Sequence, residues 1–485
     1  MDYNGKLHEE CGVFGIFRRS DEGVIADVYH ALYALQHRGQ QSCGMVVNTD
    51  GVMHGHRDRG LVNEVFTKDV LLKMEEGNMA IGHCLYGTKE LASRSAAQPL
   101  LINHHKGAMA VCYNGCLTNA IELREQLEKT GAIFHSTSDA EVIAYVITQE
   151  RLKAGSIEEA VRRAMDTLKG AFSLLVMSPT KIIAARDPHG FRPLCIGHMD
   201  EDVVVASESC ALDAIGATFD RDIAPGEVVT ITQEGITSVQ MESAPADGMC
   251  VFEFIYFARP DSVIEGSSVH EARLRAGAFL AKEHPAEADV VIGAPDSGLD
   301  AALGFARESG IPYGVGFIKN RYIGRTFIQP TQKQRQDAVR IKLSAVKATV
   351  AGKRVVLVDD SIVRGTTSKH TVQLLRDAGA KEVHYRLSSP PFIHTCHFGT
   401  DVGSEKNLIA ANHTIEEIRQ MIGVDSLGFL SVEACDQLAA NSKCGFCKGC
   451  FTGEYPCEVP QSPKCYKFEQ KLSQRKIDAD RLPDA

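Results

Sequence analysis

The chain has 485 residues, of which 44% are hydrophobic and 24% charged, and its formal net charge is -10. This length allows about two or three domains with full hydrophobic cores, the composition is that of an ordered globular protein, and the acidic balance argues against a general nucleic-acid binder. No apolar stretch approaches the ~18 residues of a membrane span, and Glu9 and Glu10 stand where a signal peptide would have its apolar core. We therefore expect a cytoplasmic protein that binds neither nucleic acid nor membrane.

The first predicted element follows Cys11. The run GVFGIF has the Val, Ile and Phe content of a half-buried β-strand. A lone cysteine beside such a strand is more often a small buried thiol than a nucleophile. The residue types at this point leave both interpretations open.

Many short β-type runs extend to about residue 235, with two helical stretches around IELREQLEKTG and SIEEAVRRAMDTLKG among them. Strands mixed with a few helices, without regular alternation, predict an α+β layered domain. The small and polar segment MESAPADGM favours a linker. From about residue 250 the chain repeats a strand, a loop and a helix, which predicts a doubly wound parallel sheet with a ligand site at the carboxyl ends of its strands. After about residue 455 the chain is polar, which predicts an exposed tail.

The segment from Lys319 to Lys347 is a basic island in this acidic chain. It contains eight Lys and Arg residues against a single acid, Asp337. Such a segment suits a small polyanionic substrate, although charge alone does not distinguish it from a solvated basic loop.

The stretch RVVLVDDSIVRGTTS is the most informative motif. An apolar strand runs directly into Asp359 and Asp360, and a loop with Arg364 and Gly365 leads into a helix. Two carboxylates at a strand end can hold ribose hydroxyls, and the loop with its helix N-terminus offers N–H groups to a phosphate. The motif is not a nucleotide P-loop, because GxxxxGK[ST] does not occur in the sequence. The alternative interpretation is that the two acids only cap a loop, but it does not explain the arginine and the three hydroxyl side chains beside them.

The run CGFCKGC places Cys444, Cys447 and Cys450 at three-residue spacing. This spacing indicates ligands for zinc or an iron-sulfur cluster, or a redox pair. Cys250 and Cys396 are too distant along the chain for a local motif and by themselves indicate core thiols.

The strand-and-loop motif resembles the signature of type I phosphoribosyltransferases, which bind phosphoribosyl pyrophosphate (PRPP). This resemblance implies an α/β domain with a parallel sheet, a pyrophosphate-binding loop at APDSG and a mobile loop at KNRYIGRTFIQP. It also implies Mg²⁺ near Ser297, Asp359 and Asp360, whose hard oxygen ligands suit that ion. The residues that it assigns to PRPP binding are Asp296, Ser297, Gly298, Lys319, Arg325, Asp359, Asp360, Arg364, Gly365, Thr366, Thr367 and Ser368.

Four N-terminal motifs, CGVFGIF, LQHRGQQSCG, YNGCLTN and STSDAE, resemble the N-terminal-nucleophile glutamine amidotransferases, which have a layered αββα fold. The resemblance implies removal of MDYNGKLHEE, so that Cys11 becomes the nucleophile and its own α-amine the base. It assigns Asn114 and Gly115 to the oxyanion hole, Asp139 to the glutamine α-ammonium group and Arg38 to the same pocket.

Both halves together resemble the amidophosphoribosyltransferase family over nearly the whole chain. The resemblance implies a propeptide at 1–10, a glutaminase domain at 11–235, a phosphoribosyltransferase domain at 250–455 and a tail at 456–485. The implied reaction makes 5-phosphoribosylamine from PRPP and glutamine, the first step of purine biosynthesis. A homotetramer and feedback inhibition by purine nucleotides are further implications.

One branch of this family carries a [4Fe-4S] cluster, and its cysteine pattern maps onto Cys250, Cys396, Cys447 and Cys450. Cys444 is then the spare cysteine, although it could replace Cys450 beside Cys447. Zinc is the alternative metal.

The sequence departs from the family in GHCLYGT, where Leu85 stands in place of the arginine that grips the glutamine carboxylate. A leucine cannot form that bidentate pair. The candidates for a substitute are Lys89 and Arg94. The alternative function is an ammonia-dependent or regulatory PRPP-binding paralogue with impaired glutaminase activity.

Overall fold

The computed structural model describes residues 11–20, 22–86, 94–320, 343–400, 402 and 404–460. The predicted propeptide, Lys89, Arg325 and most of the predicted tail lie outside these residues. Among the described residues, contacts divide the chain into two units. One contains 11–248 with 397–399 and 456–460, and the other contains 249–396 and 400–455. The domain boundaries at 235 and 250 remain a prediction.

The first unit is built on two antiparallel sheets. Its strands are β1 (Gly12–Phe17), β2 (Ser42–Thr49), β3 (Val52–Arg59), β4 (Met79–Leu85), β5 (Leu100–His104), β6 (Gly107–Leu117), β7 (Gly170–Ser178), β8 (Lys181–Arg186), β9 (Cys195–Met199), β10 (Asp202–Ala206), β11 (Thr218–Asp222), β12 (Glu227–Thr232) and β13 (Gly235–Gln240). One sheet has the order β11-β9-β10-β1-β4-β2-β3, and the other has the order β13-β12-β8-β7-β6-β5.

Helices cover the outer faces of both sheets. They are α1 (Ile25–Ala34), α2 (Val62–Val65), α3 (Lys68–Leu71), α4 (Ala120–Lys129), α5 (Asp139–Lys153), α6 (Ile157–Thr167) and α7 (Ser209–Ala214), with a 3₁₀ turn at Arg94–Ala96. Side chains alternate along each strand: in β1, Val13 faces the other sheet, whereas Phe14 packs beneath Leu32 of α1. The predicted αββα layers are thereby confirmed.

Helices α1 and α5 were not among the two helical stretches that the sequence predicts in this half. In the first turns of α5, buried apolar residues occupy most sides of the helix, for example Ala140, Val142, Ile143 and Ala144. Such a helix has no polar face to give the 3.6-residue alternation on which prediction depends.

The second unit contains a four-stranded parallel sheet in the order β17-β20-β21-β22, which confirms the predicted α/β fold. The strands of this unit are β14 (Met249–Cys250), β15 (Val263–Ile264), β16 (Ser267–Ser268), β17 (Val290–Gly293), β18 (Phe317–Lys319), β19 (Leu343–Ala345), β20 (Arg354–Asp359), β21 (Glu382–Leu387), β22 (Ser426–Phe429) and β23 (Phe446–Cys447).

Helices lie on both faces of the parallel sheet. They are α8 (Val269–Glu283), α9 (Gly298–Ser309), α10 (Lys347–Val350), α11 (Thr366–Asp377), α12 (Ile409–Asn412), α13 (Ile415–Ile422), α14 (Val432–Cys435) and α15 (Gly449–Thr452), with a π-helical turn at Glu253–Phe257 and a 3₁₀ turn at Glu405–Asn407. Leu375 of α11 and Ile418 of α13 pack on Leu357 of β20. None of the helices in the described ranges is long and apolar enough to cross a membrane.

Candidate active sites

Cys11 lies immediately before β1, the central strand of the seven-stranded sheet. Its Sγ donates to the carbonyl of Tyr86, at 3.6 Å, and the residue is partly exposed. Because Gly12 pairs with Cys84 across β1 and β4, Leu85 lies beside Cys11. The nucleophile predicted from the sequence is therefore accessible, and the departure from the family pattern lies next to it.

A buried ionic network holds the backbone of Cys11. The Nε of Arg38 donates to the Cys11 carbonyl at 3.0 Å, and its Nη1 donates to Glu208. His37 also contacts Glu208, at 2.8 Å. Burial favours a raised pKa for Glu208, but the charges and hydrogen bonds of His37 and Arg38 outweigh it and hold this pKa well below the usual value. The carboxylate stays ionised and fixes Arg38 in place.

Sequence reasoning missed Glu208 in this network. The available signal was an acid between two serines directly after the apolar strand DVVVA. That pattern gives no hint of its partner Arg38, which lies 170 positions earlier in the chain.

The predicted oxyanion-hole residues lie on β6. The Nδ2 of Asn114 is buried and has no hydrogen-bond partner among the described residues. Gly115 has φ +141°, and a Cβ there would lie 2.1 Å from the carbonyl oxygen of Ala171, so that no other residue fits. A buried amide donor without a partner is costly, which points to an acceptor that a ligand supplies.

Two further side chains hold Tyr113, the residue before this pair. The Oε1 of Gln98 accepts from the Tyr113 N–H at 2.9 Å, and the Nε2 of His83 donates to the Tyr113 carbonyl at 3.0 Å. Burial lowers the pKa of His83 to about 4, so the imidazole is neutral with its proton on Nε2. His83 was missed as well, although it is a conspicuous polar residue within the apolar run of β4.

Asp139 is the first residue of α5, after the helix-capping Ser138. Its Oδ2 accepts from the backbone N–H of Leu117 at 3.0 Å, which ties it to the end of β6, three residues beyond Asn114. Of the two candidates that could replace the missing arginine, Arg94 is 69% exposed and its Nη2 lies 3.6 Å from Asp58, while Lys89 lies outside the described residues.

In the second unit, the pyrophosphate-loop motif and the acidic motif converge at the carboxyl ends of β17 and β20. The Ser297 hydroxyl donates to Oδ1 of Asp360 at 2.6 Å, and Ser361 donates to Oδ2 at the same distance. Gly298 starts α9 so close to β20 that a Cβ would lie 2.4 Å from the carbonyl oxygen of Val358. The two motifs predicted to act together are therefore in direct contact.

The other predicted residues surround this point. Lys319 forms an ion pair with Asp296, and Gly365, with φ +78°, begins α11, whose first turn is Thr366, Thr367 and Ser368. The first N–H groups of a helix have no intrahelical partners and suit a phosphate. Tyr385 was not predicted: its hydroxyl donates to Oδ2 of Asp359 at 2.8 Å.

A thiol cluster is formed by the four cysteines of the family pattern, Cys250, Cys396, Cys447 and Cys450. Cys250 and Cys447 are partners in the parallel pair of β14 and β23. Burial, followed by the charges of Cys396, Cys250 and Cys447, raises the pKa of Cys450 well above its usual value. Cys444 is not among these neighbours. Within the described ranges, no three His, Cys, Asp or Glu side chains are placed to share a single metal ion.

Comparisons with known proteins match both units. A family model for the glutamine amidotransferase domain matches residues 88–214, and one for the phosphoribosyl transferase domain matches residues 267–387. The chain is 48% identical to the amidophosphoribosyltransferase of Bacillus subtilis, over 94% of this chain and 96% of that protein. It is 45% identical to that of Archaeoglobus fulgidus, over 93% and 98%.

Two solved structures are also similar. The glutamine PRPP amidotransferase of B. subtilis, in complex with ADP and GMP, has a TM-score of 0.86 at 46% identity, covering 94% of this chain and 99% of that one. A structure described as the allosteric regulatory enzyme of purine biosynthesis has a TM-score of 0.88 at 45% identity, covering 96% and 100%.

Proposed function

The chain belongs to the amidophosphoribosyltransferase family, and we propose that Cys11 and the pair Asp359–Asp360 carry the two halves of its reaction. The enzyme is a glycosyltransferase that makes 5-phosphoribosylamine from PRPP and glutamine, the first step of purine biosynthesis. Hydrolysis of the glutamine amide supplies ammonia, and ammonia replaces pyrophosphate on the ribose.

In the glutaminase half, removal of residues 1–10 would free the α-amine of Cys11. This amine, with an ordinary pKa of about 8, accepts the thiol proton and later donates it to the departing ammonia. The thiolate attacks the glutamine amide carbon, and the developing oxyanion accepts hydrogen bonds from the Asn114 Nδ2 and the Gly115 N–H. Loss of ammonia leaves a glutamyl thioester on Cys11, which water hydrolyses to release glutamate and restore the thiol. Intact-mass measurement tests the processing: active protein that still carries Met1–Glu10 would contradict it.

Asp139 and Arg38 complete the proposed glutamine pocket. Asp139 lies near the end of β6, where its carboxylate can pair with the substrate α-ammonium group. The observed contacts of Arg38 with Cys11 and Glu208 support a role in orienting the nucleophile through its backbone carbonyl.

In the phosphoribosyl half, Asp359 and Asp360 lie where ribose hydroxyls and the positive charge that develops on the anomeric carbon need negative partners. Their burial, at 4% and 3% exposure, strengthens such electrostatic contacts because little water screens them. The N-terminus of α11, with Arg364, Gly365, Thr366, Thr367 and Ser368 around it, would hold the 5-phosphate. Lys319, Asp296, Ser297, Gly298 and Arg325 are assigned to the pyrophosphate side.

Mg²⁺ fits this arrangement by the chemistry of its donors. The Ser297 hydroxyl contacts the Asp360 carboxylate at the carboxyl end of the sheet, and Asp359 is the preceding residue, so the three offer hard oxygen donors. When bound, the ion would neutralise charge on the pyrophosphate leaving group.

A [4Fe-4S] cluster fits the thiol cluster. Cysteine thiolates are the ligands that such clusters take, and Cys250, Cys396, Cys447 and Cys450 would hold it, with Cys250 paired to Cys447 across β14 and β23. Iron and acid-labile sulfide analysis of anaerobically purified protein tests this: Cys450→Ser should lose both and Cys444→Ser should retain them. Detection of zinc without sulfide would instead assign the four cysteines to a zinc site.

Purine nucleotides are proposed as feedback inhibitors, because the B. subtilis relative is complexed with ADP and GMP and the second solved relative is described as an allosteric regulatory enzyme. A homotetramer is proposed from the family resemblance. Inhibition of synthesis by added GMP or ADP, and sedimentation of the purified protein, test these two points.

Two observations together carry the proposal: the accessible Cys11, and the buried Asn114 amide, which has no hydrogen-bond partner among the described residues. The experiment measures PRPP-dependent pyrophosphate release with glutamine and with ammonium separately. Wild-type protein should use both, and Cys11→Ala should use ammonium alone. Equal use of glutamine by Cys11→Ala would overturn the role of the nucleophile.

A further inference from the structure

Tyr385 lies in the middle of the parallel sheet and is fully buried. It belongs to β21 and pairs with Leu357 of β20, two residues before the carboxyl end of that strand. The phenol ring therefore extends from the core toward the strand end, where its hydroxyl meets Oδ2 of Asp359 at 2.8 Å.

The direction of this hydrogen bond follows from the groups themselves. Because the carboxylate of Asp359 can only accept, the Tyr385 hydroxyl is the donor. One phenol on a neighbouring strand thus holds the carboxylate at the end of β20.

Both groups are shielded from water: Asp359 is 4% exposed and Tyr385 is fully buried. A hydrogen bond to a buried charge is stronger than one between neutral groups, and loss of the donor leaves the carboxylate with one fewer partner.

We propose that Tyr385 is a positioning residue of the PRPP site, which orients the Asp359 carboxylate through this hydrogen bond. This role rests on the proposed function of Asp359. A purely structural explanation would require only the aromatic ring, whose packing against Leu357 and Val372 does not involve the hydroxyl.

The test is Tyr385→Phe in the processed, metal-loaded enzyme, since phenylalanine keeps the ring and removes the hydroxyl. We expect kcat of both glutamine-driven and ammonium-driven synthesis to fall by about ten- to a hundredfold, the range for a hydrogen bond to a charged group. Basal glutamine hydrolysis should change by less than about twofold, because the glutaminase residues belong to the other unit.

A double-mutant cycle separates positioning from structure. If Tyr385 acts through Asp359, Tyr385→Phe should add no further loss in an Asp359→Asn background, measured as residual ammonium-driven turnover. Tyr145→Phe, which removes a tyrosine hydroxyl that donates to the Ile133 carbonyl, is the matched control and should leave synthesis unchanged. Additive losses in the cycle, or unchanged kcat in Tyr385→Phe, would overturn the proposal. A wild-type enzyme that makes no product from PRPP and ammonium would instead overturn the proposed function, and this role with it.

Discussion

Leu85 lies beside Cys11, buried to 5% exposure, at the position where the family pattern has an arginine. The nearest described candidate for a substitute, Arg94, is mostly exposed and lies near Asp58. The chain keeps all of the other predicted glutaminase residues, namely Cys11, Asn114, Gly115 and Asp139. The departure at Leu85 should therefore weaken binding of the glutamine carboxylate rather than prevent hydrolysis of the amide. This argues against the paralogue without glutaminase activity.

Leu85→Arg is expected to lower the KM for glutamine by about ten- to a hundredfold, because a charge-assisted contact to a carboxylate contributes about 1.5 to 3 kcal/mol. Ammonium-driven synthesis should not change, since ammonium has no carboxylate to anchor. Leu85→Met, a change of shape without charge, is the control and should leave the KM as it is. An unchanged KM in Leu85→Arg, together with a raised KM in Arg94→Ala or Lys89→Ala, would assign the anchor to that side chain.

His83 provides a test of pH dependence at the same scale. Its pKa is lowered from 6.5 to about 4 in the folded protein, mainly by burial, so the unfolded chain binds a proton that the folded chain does not. Stability is therefore lost as pH falls through this interval. Between pH 7 and pH 5 the free energy of unfolding of the first unit should fall by about 2 kcal/mol more in the wild type than in His83→Gln. Urea denaturation at the two pH values measures this difference, and equal decreases would contradict it.

At the scale of elements, local patterns predicted the strands and loops that carry the second site. The apolar run before Asp359 and the GTTS sequence that starts at Gly365 are recognisable without any tertiary information, and the structure places β20 and α11 there. The side chains that contact these elements from distant segments of the chain could not be predicted from the sequence. Tyr385 reaches Asp359 from a neighbouring strand, and Cys250 meets Cys447 through a parallel pair of distant segments. Sequence spacing alone suggested core thiols for Cys250 and Cys396.

Gly298 tests how closely two elements must approach. A Cβ at this position would lie 2.4 Å from the Val358 carbonyl oxygen, so Gly298→Ala must push α9 away from β20 and move Ser297 relative to Asp360. A displacement of about 1 Å can cost about a hundredfold in rate, and we expect that loss in synthesis with either nitrogen source.

Gly155→Ala is the control for this substitution, because the nearest atom to its added Cβ would be 3.5 Å away. It should leave synthesis unchanged. Normal PRPP turnover in Gly298→Ala would show that the two motifs do not need their observed separation.

At the scale of the whole molecule, each unit has its own hydrophobic core and its own set of candidate catalytic residues. The glutaminase residues all lie in the first unit, and the carboxylate pair with its helix N-terminus lies in the second. Variants in one unit should therefore remove one half of the reaction while the other half remains measurable.

The double variant Asp359→Asn, Asp360→Asn is expected to abolish synthesis with both glutamine and ammonium, because the ribosyl cation and the pyrophosphate site lose their negative partners together. Basal hydrolysis of glutamine to glutamate should persist, since Cys11, Asn114 and Asp139 are untouched. The matched control is Asp289→Asn, Asp377→Asn, which removes the same charge from two exposed positions of the same unit and should retain synthesis. Product formation from ammonium in the Asp359, Asp360 variant would refute the assignment of the carboxylate pair. Loss of glutamine hydrolysis in that variant, with its fold intact by circular dichroism, would show instead that the glutaminase unit depends on a functional PRPP site.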